Sequence, residues 1–272
     1  MNVSAMTSAI ASPATAAIER QRSHFNAIAQ RYEAGREEAN HRRIKSLIWR
    51  DALACLAPLE GRPIRMLEPM CGYGEGLGIV REHSDLDIDY AGFDYSDVIV
   101  EELSRSFSGG RIWQADVTRY RPESAAYDLI FLAGGLHHVP DSAPQVVASL
   151  ASGLKPGGMF VNFEPTHGNP LFQAVRDRIY ARNEIFDEVT ERAFPVADLQ
   201  AMFQAAGLEE VRTFYPGLLA YVMYYNPYAF PLLNKGGPRW VDRLFALDRL
   251  VMNTIIGRWL SFATVTIWQK PA

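Results

Sequence analysis

Between Pro63 and Pro165 short apolar runs alternate with helical stretches: IRML, DYAGFDY, RIWQADV, YDLIFLAGG and GMFVNFE each read as a buried strand. This rhythm constrains the chain more than any other feature. It predicts a parallel sheet whose strands are joined by crossover helices, and the right-handedness of such crossovers assigns the helices to the two faces of the sheet. Upstream, from Glu19 to Leu56, Phe25, Ile28, Ala29 and Tyr32 and then Ile44, Leu47, Ile48 and Leu53 recur at three and four, the spacing of amphipathic helices. Downstream the chain reads as a helix to about Tyr180, a loop, a helix from Val196 to Ala206 ended by Gly207, and strands LEEVRTFYP and SFATVTIWQ. About forty residues separate those last two strands, far more than a hairpin needs, so they form an insertion.

A chain of 272 residues with 48% hydrophobic and 11% aromatic content can bury a generous core. Its net charge of -4 offers no field for a polyanion, and the only basic patch is short, around Arg42, Arg43 and Lys45, so nucleic acid is not the expected partner. Cys55 and Cys71 lack the spacing of a zinc site or a disulfide framework, which suits a reducing cytoplasm, and no metal is expected. Residues 1–18 are rich in Ala, Ser and Thr with no Lys or Arg before Arg20, and read as a flexible leader. Gly217 to Leu233 is the most apolar later stretch, but Asn226, Pro227, Pro231 and its tyrosines make it a poor membrane span.

The strongest local signal is LEPMCGYGEG, Leu67 to Gly76: an acidic residue at a strand end, then Gly72, Gly74 and Gly76 opening a helix. Glycines let the backbone approach a ligand, and the helix N-terminus supplies oriented N–H groups. A dinucleotide fingerprint needs its third glycine at position 77, which is Leu77, and the Gly-Lys-Ser/Thr of a phosphate loop is absent. Asp94 ends the next strand, 22 residues after Gly72, where a carboxylate can accept from both hydroxyls of a ribose; Tyr95 follows, placed to cover an adenine face. In QADV, Asp116 can accept from an adenine amino group while the Val117 N–H meets a ring nitrogen. The fourth strand ends in Ala133, Gly134 and Gly135, small enough to admit a ligand, then presents His137 and His138.

Through the acidic-then-glycine loop, Asp94, Asp116, GGLHHVPD and LKPGG in that order, the sequence resembles the class I S-adenosylmethionine-dependent methyltransferases, firmly over Met66 to Pro165. The resemblance implies an α/β, Rossmann-like fold: a seven-stranded mixed sheet with helices on both faces, an N-terminal helical lid and a helical insertion before the last strand. The divisions are the leader 1–18, a lid 19–60, a core 61–216 and 259–272, and an aromatic-rich cap 217–258. It also implies that the Gly72 to Gly76 loop, with Glu68, cradles the methionine part of S-adenosylmethionine, that Asp94 holds the ribose, that Asp116 and Val117 read adenine beside Ala133, and that Tyr32 closes over the cofactor. Met70 departs from the pattern, standing where the family usually has its first glycine.

His137 and His138 are the candidate general bases, an imidazole being able to take a proton from a hydroxyl or ammonium near neutrality. Alignment and desolvation alone are the alternative. His24, His41, His83 and His167 are scattered and read as surface or capping residues, and Glu164 as either a ligand-facing or a satisfied turn carboxylate. Tyr221, Tyr224 and Tyr225, within an aromatic run from Phe214 to Phe230, are expected to line an acceptor pocket, or else to form core and a homodimer interface. The leading expectation is O- or N-methylation of a small molecule, of a biosynthetic, secondary-metabolism kind. A second reading is cyclisation of the cofactor to azetidine-2-carboxylate and methylthioadenosine, and a third is a non-catalytic cofactor-binding regulatory subunit.

Overall fold

The computed structural model describes residues 23, 36–180, 192–227 and 230–272. Tyr32, His24 and the leader lie outside them. The first described helix is α1 (Ala39–Leu53), followed by a 3-10 turn (Ala54–Leu59). Strands and helices then alternate: β1 (Ile64–Pro69), α2 (Glu75–His83), β2 (Ile88–Asp94), α3 (Asp97–Ser106), β3 (Gly110–Gln114), β4 (Tyr127–Ala133), α4 (Ala143–Ser152), β5 (Leu154–His167) and α5 (Pro170–Tyr180). Next come β6 (Phe194–Pro195), α6 (Val196–Ala205), β7 (Glu209–Phe214), α7 (Leu219–Tyr224), α8 (Pro238–Asp248), α9 (Ile255–Leu260) and β8 (Ala263–Gln269).

The sheet runs β3-β2-β1-β4-β5-β8-β7, with β8 antiparallel to both of its neighbours and the other pairs parallel. These are the seven strands and the mixed sheet that the sequence implies; two-residue β6, paired to β5, is an addition. The order reverses between β1 and β4, so a crevice opens at their carboxyl ends, where open α/β sheets bind ligands. β4 reads YDLIFLA without polar alternation because both of its faces are covered. Leu67, Ile130, Leu132 and Phe160 meet Val146, Leu150, Leu199 and Phe203 of α4 and α6 on one side. On the other, Met66, Phe131 and Phe163 meet α1, α2, α7 and α8.

The two segments expected as caps, 19–60 and 217–258, are described in part. Glu38 accepts hydrogen bonds from the N–H groups of Asn40 and His41 and so starts α1, whose Trp49 ring then packs 4.9 Å from Phe131 and 5.8 Å from Phe163. The amphipathic stripe of α1 therefore lies on the face of the sheet. The insertion joins the same layer: the Arg43 Nε donates to Asp242 Oδ1 at 2.6 Å, and Asp248 accepts from Leu219 N and Ala220 N, the first N–H groups of α7. Tyr221 and Tyr224 are buried there, and the Tyr224 hydroxyl donates to the Lys235 carbonyl at 3.1 Å. Among the described residues no helix is long and apolar enough to cross a membrane.

Candidate functional site

The loop from β1 to α2 enters left-handed φ three times in five residues, at Met70 (54°), Gly72 (50°) and Gly74 (75°). Glycine takes this conformation at no steric cost, whereas Met70 takes it with a side chain, a strain that surrounding structure must hold. Three backbone donors fix the loop: Cys71 N to Phe93 O at 2.9 Å, Gly74 N to Cys71 O at 2.8 Å, and Gly72 N to Asp94 Oδ2 at 2.9 Å. At Gly72 a Cβ would stand in open space, so the backbone there is bare to whatever fills the crevice.

Asp94, at the end of β2, is half-buried and also accepts from Ser96 N at 2.9 Å through Oδ1. Burial pushes its carboxyl up, and the N–H groups of Ser96 and Gly72 oppose that shift. Each oxygen keeps acceptor capacity for a further donor. Asp116 is built alike: Oδ1 accepts from Thr118 N at 2.8 Å and Thr118 Oγ1 at 2.7 Å, while Oδ2 lies 3.6 Å from Arg119 Nε. The two carboxylates share one crevice with Tyr95 and Val117.

Glu68 borders the crevice with both carboxylate oxygens already engaged by the protein. Its Oε1 accepts from Gly76 N at 2.7 Å, and its Oε2 from Leu77 N at 3.1 Å and from the Tyr90 hydroxyl at 2.8 Å. It borders the crevice from within the protein, tying β1 to the N-terminus of α2. Desolvation lifts its carboxyl to about 7 against these three hydrogen bonds. Gly76 is required by this arrangement, since an added Cβ would fall 2.6 Å from the Glu68 carboxyl carbon and 2.5 Å from the Phe131 ring. Tyr90 went unread in the sequence. Its signal is Tyr-x-Gly on a strand: Tyr90 and Gly92 share a face, and the hydroxyl lies over the space where a Gly92 Cβ would be.

At the end of β4, Ala133 and Gly134 line the crevice, and Gly134 N donates to Phe163 O at 2.6 Å. The next turn is pinned from below by Glu164, which is wholly buried on β5. It accepts from Gly135 N at 3.0 Å, Leu136 N at 2.8 Å and His137 N at 3.3 Å, and its Oε2 lies 2.8 Å from His137 Nδ1. Desolvation raises Glu164 to about 7 and lowers His137 to about 3, with Arg176 adding to the latter shift. His137 is thus a neutral imidazole engaged with Glu164, while His138, its ring 3.8 Å away, is the histidine that lines the crevice.

The sequence-derived set therefore divides. Glu68, Gly72, Gly76, Asp94, Tyr95, Asp116, Val117, Ala133 and His138 border one crevice; Gly74 and His137 stand behind it. Tyr221, Tyr224 and Tyr225 do not line it: Tyr225 packs 5.5 Å from Phe163 and 4.5 Å from Tyr221, and its carbonyl is 2.6 Å from His41 Nδ1. Sequence reasoning missed Arg36, which lines the crevice and pairs with Glu75, and the inward turn of Lys45, whose Nζ is 2.7 Å from Glu75 Oε1. Desolvation, with Arg36 nearby, brings that ammonium down to about 7. Among the described residues no cluster of His, Cys, Asp and Glu is arranged to hold a metal ion.

Residues 66–158 match the family model described as a methyltransferase domain. A comparison with the curated proteins finds no match. Among solved structures, an S-adenosylmethionine-dependent methyltransferase from Thermotoga maritima superposes with TM-score 0.59 at 14% identity, over 91% of this chain and 99% of that one. One from Mesorhizobium loti gives 0.54 at 16%, over 81% and 98%. A Haemonchus contortus N-methyltransferase solved with phosphomonomethylethanolamine and S-adenosylhomocysteine gives 0.55 at 15%, over 82% and 53%. At such identities the likeness is one of fold. The cofactor of this fold family is S-adenosylmethionine, and the bare backbone at Gly72 between two acceptor carboxylates suits its adenosyl and amino-acid parts. Over residues 66–158 the chain is similar to methyltransferase domains, and its fold is that of the solved S-adenosylmethionine-dependent methyltransferases.

Proposed function

We propose that the protein methylates an oxygen or nitrogen of a small molecule, as a biosynthetic enzyme. One observation carries this reading: the glycine-bent loop, Asp94, Asp116 and His138 border a single crevice at the point where the strand order reverses. Asp94 would accept from the ribose hydroxyls, Asp116 and the Val117 N–H would read the adenine, and Gly72 would leave room for the methionine part. When bound, the cofactor supplies an electrophilic methyl carbon. The protein's task is to hold an acceptor in line with it and to keep water out, and position and desolvation account for much of such catalysis. His138 would take the proton that a hydroxyl or ammonium must lose; its position on the crevice lining, in the turn held by Glu164, supports this role.

Mass spectrometry of the nucleoside product tests this reading. Incubated with S-adenosylmethionine and a panel of hydroxylated and amino compounds, the enzyme is expected to release S-adenosylhomocysteine only with an acceptor, alongside a product heavier by one methylene. Methylthioadenosine formed without an acceptor would replace the reading with cyclisation of the cofactor. Binding with no nucleoside product under any condition would replace it with a regulatory role.

A further inference from the structure

Away from the crevice, the insertion and its flanks carry large apolar side chains that no described residue covers: Leu232 is 81% exposed, Leu250 74%, Leu247 58% and Trp240 53%. On α8, Arg239, Trp240, Arg243 and Leu247 fall within about 100° of one another on the helical wheel, opposite Phe245 and Asp248, which are buried. Charge is sorted in the same way. Residues 231–260 hold five basic side chains, Lys235, Arg239, Arg243, Arg249 and Arg258, and two acidic ones, Asp242 and Asp248. Both acidic groups are engaged within the protein, half-exposed Asp242 by Arg43 and buried Asp248 by the N-terminus of α7, and exposed Arg249 pairs with Asp51 at 3.0 Å. Lys235, Arg239 and Arg243 remain exposed, the Arg243 guanidinium lying 5.0 Å from the Trp240 ring centroid. In a chain of net charge -4, this face is apolar and positively charged.

We propose that the outward face of α8, with the Leu232 loop before it and Leu250 after it, docks on the surface of an anionic lipid bilayer. The leucines would enter the acyl boundary, Trp240 would sit at headgroup level, and the cations would meet lipid phosphates. Charge complementarity selects this occupant: a second copy docking face to face would set Arg239 and Arg243 against their own kind. A nucleic-acid backbone would satisfy the cations but leave the exposed leucines in water.

Co-sedimentation of the full chain with vesicles tests the proposal, comparing phosphatidylcholine with phosphatidylcholine containing about 30% phosphatidylglycerol, at low and high salt. Association is expected with the anionic vesicles only, weaker at high salt, and reduced about tenfold or more in Arg239→Gln/Arg243→Gln. Trp240→Ala/Leu250→Ser is expected to lose a similar factor while keeping the far-ultraviolet circular dichroism of the parent. No association at low salt, equal association with both vesicle types, or association unchanged in both variants overturns the proposal. A dimer in analytical ultracentrifugation that Trp240→Ala/Leu250→Ser dissolves, without vesicle binding, assigns the face to a second copy and overturns it equally, as does retention by RNA in place of vesicles.

Discussion

The crevice around Gly72 and the insertion from 217 to 260 both draw attention by composition, one through glycines and carboxylates, the other through aromatics, but they are built by different means. In the crevice, backbone conformation does the placing. Left-handed φ at Gly72 and Gly74, and strand ends that must stop at Asp94 and Ala133, fix where the side chains go. In the insertion nothing local decides whether a tyrosine faces a pocket, the core or solvent. That choice falls to tertiary packing, here against α1 and Phe163: Tyr221 and Tyr224 went inward while Trp240, Leu232, Leu247 and Leu250 stayed out. Residue type predicts a site well where the backbone is constrained and poorly where it is not.

If the contrast holds, changes at the crevice act on cofactor binding or on the packing that shapes its loop, and changes at the insertion's tyrosines act on stability alone. Asp94→Ala removes the acceptor of Gly72 N and the proposed ribose partner; at 1.5–3 kcal/mol for each charge-assisted bond, S-adenosylhomocysteine affinity is expected to fall about 100-fold or more by calorimetric titration. Gly76→Ala forces a methyl onto Glu68 and Phe131 and is expected to cost about 1–3 kcal/mol in urea unfolding, because overpacking a fitted interior has costs of that order.

His41 gives a pH test of the insertion's packing. Burial, with smaller contributions from Arg36 and Lys45, holds it at about 3 against an ordinary value near 6.5, so the folded protein keeps it neutral while the unfolded chain protonates. Stability from this group is full above 6.5 and is lost as pH falls toward 3. Between pH 6.5 and 5.5 the loss is about 1 kcal/mol, and His41→Gln is expected to be less acid-sensitive than the parent by that amount in paired urea titrations. Smallest is Tyr224→Phe, which deletes the hydroxyl bond to Lys235 O: about 1 kcal/mol of stability with cofactor affinity and kcat unchanged. A loss of kcat in that variant would return the tyrosine to a substrate pocket and break the contrast.

The sheet was legible from 63 to 165 because strands buried on both faces leave uninterrupted apolar runs, as in β4, and because Gly72, Asp94 and Asp116 fall at strand ends in a fixed order. The direction of Glu68 was not legible. A strand-end carboxylate can face a ligand or the adjacent helix, and the choice depends on Tyr90, brought beside it by β1–β2 pairing. Of two adjacent histidines, sequence cannot say which faces inward; Glu164, 27 residues downstream of His137, takes that one and leaves His138 for the crevice. The surface that α1 packs on was not legible either, because a helical stripe states that a face is buried without stating against what; Trp49 lies on Phe131.

Calorimetric titration of the whole chain with S-adenosylhomocysteine, and separately with NAD and ATP, goes most directly to the central claim that the glycine loop and the two strand-end carboxylates form an adenosyl-sulfonium crevice. Saturable one-to-one binding of S-adenosylhomocysteine, weakened in Asp94→Ala, and no heat from NAD or ATP are predicted. Tight binding of either nucleotide with none of S-adenosylhomocysteine would contradict it.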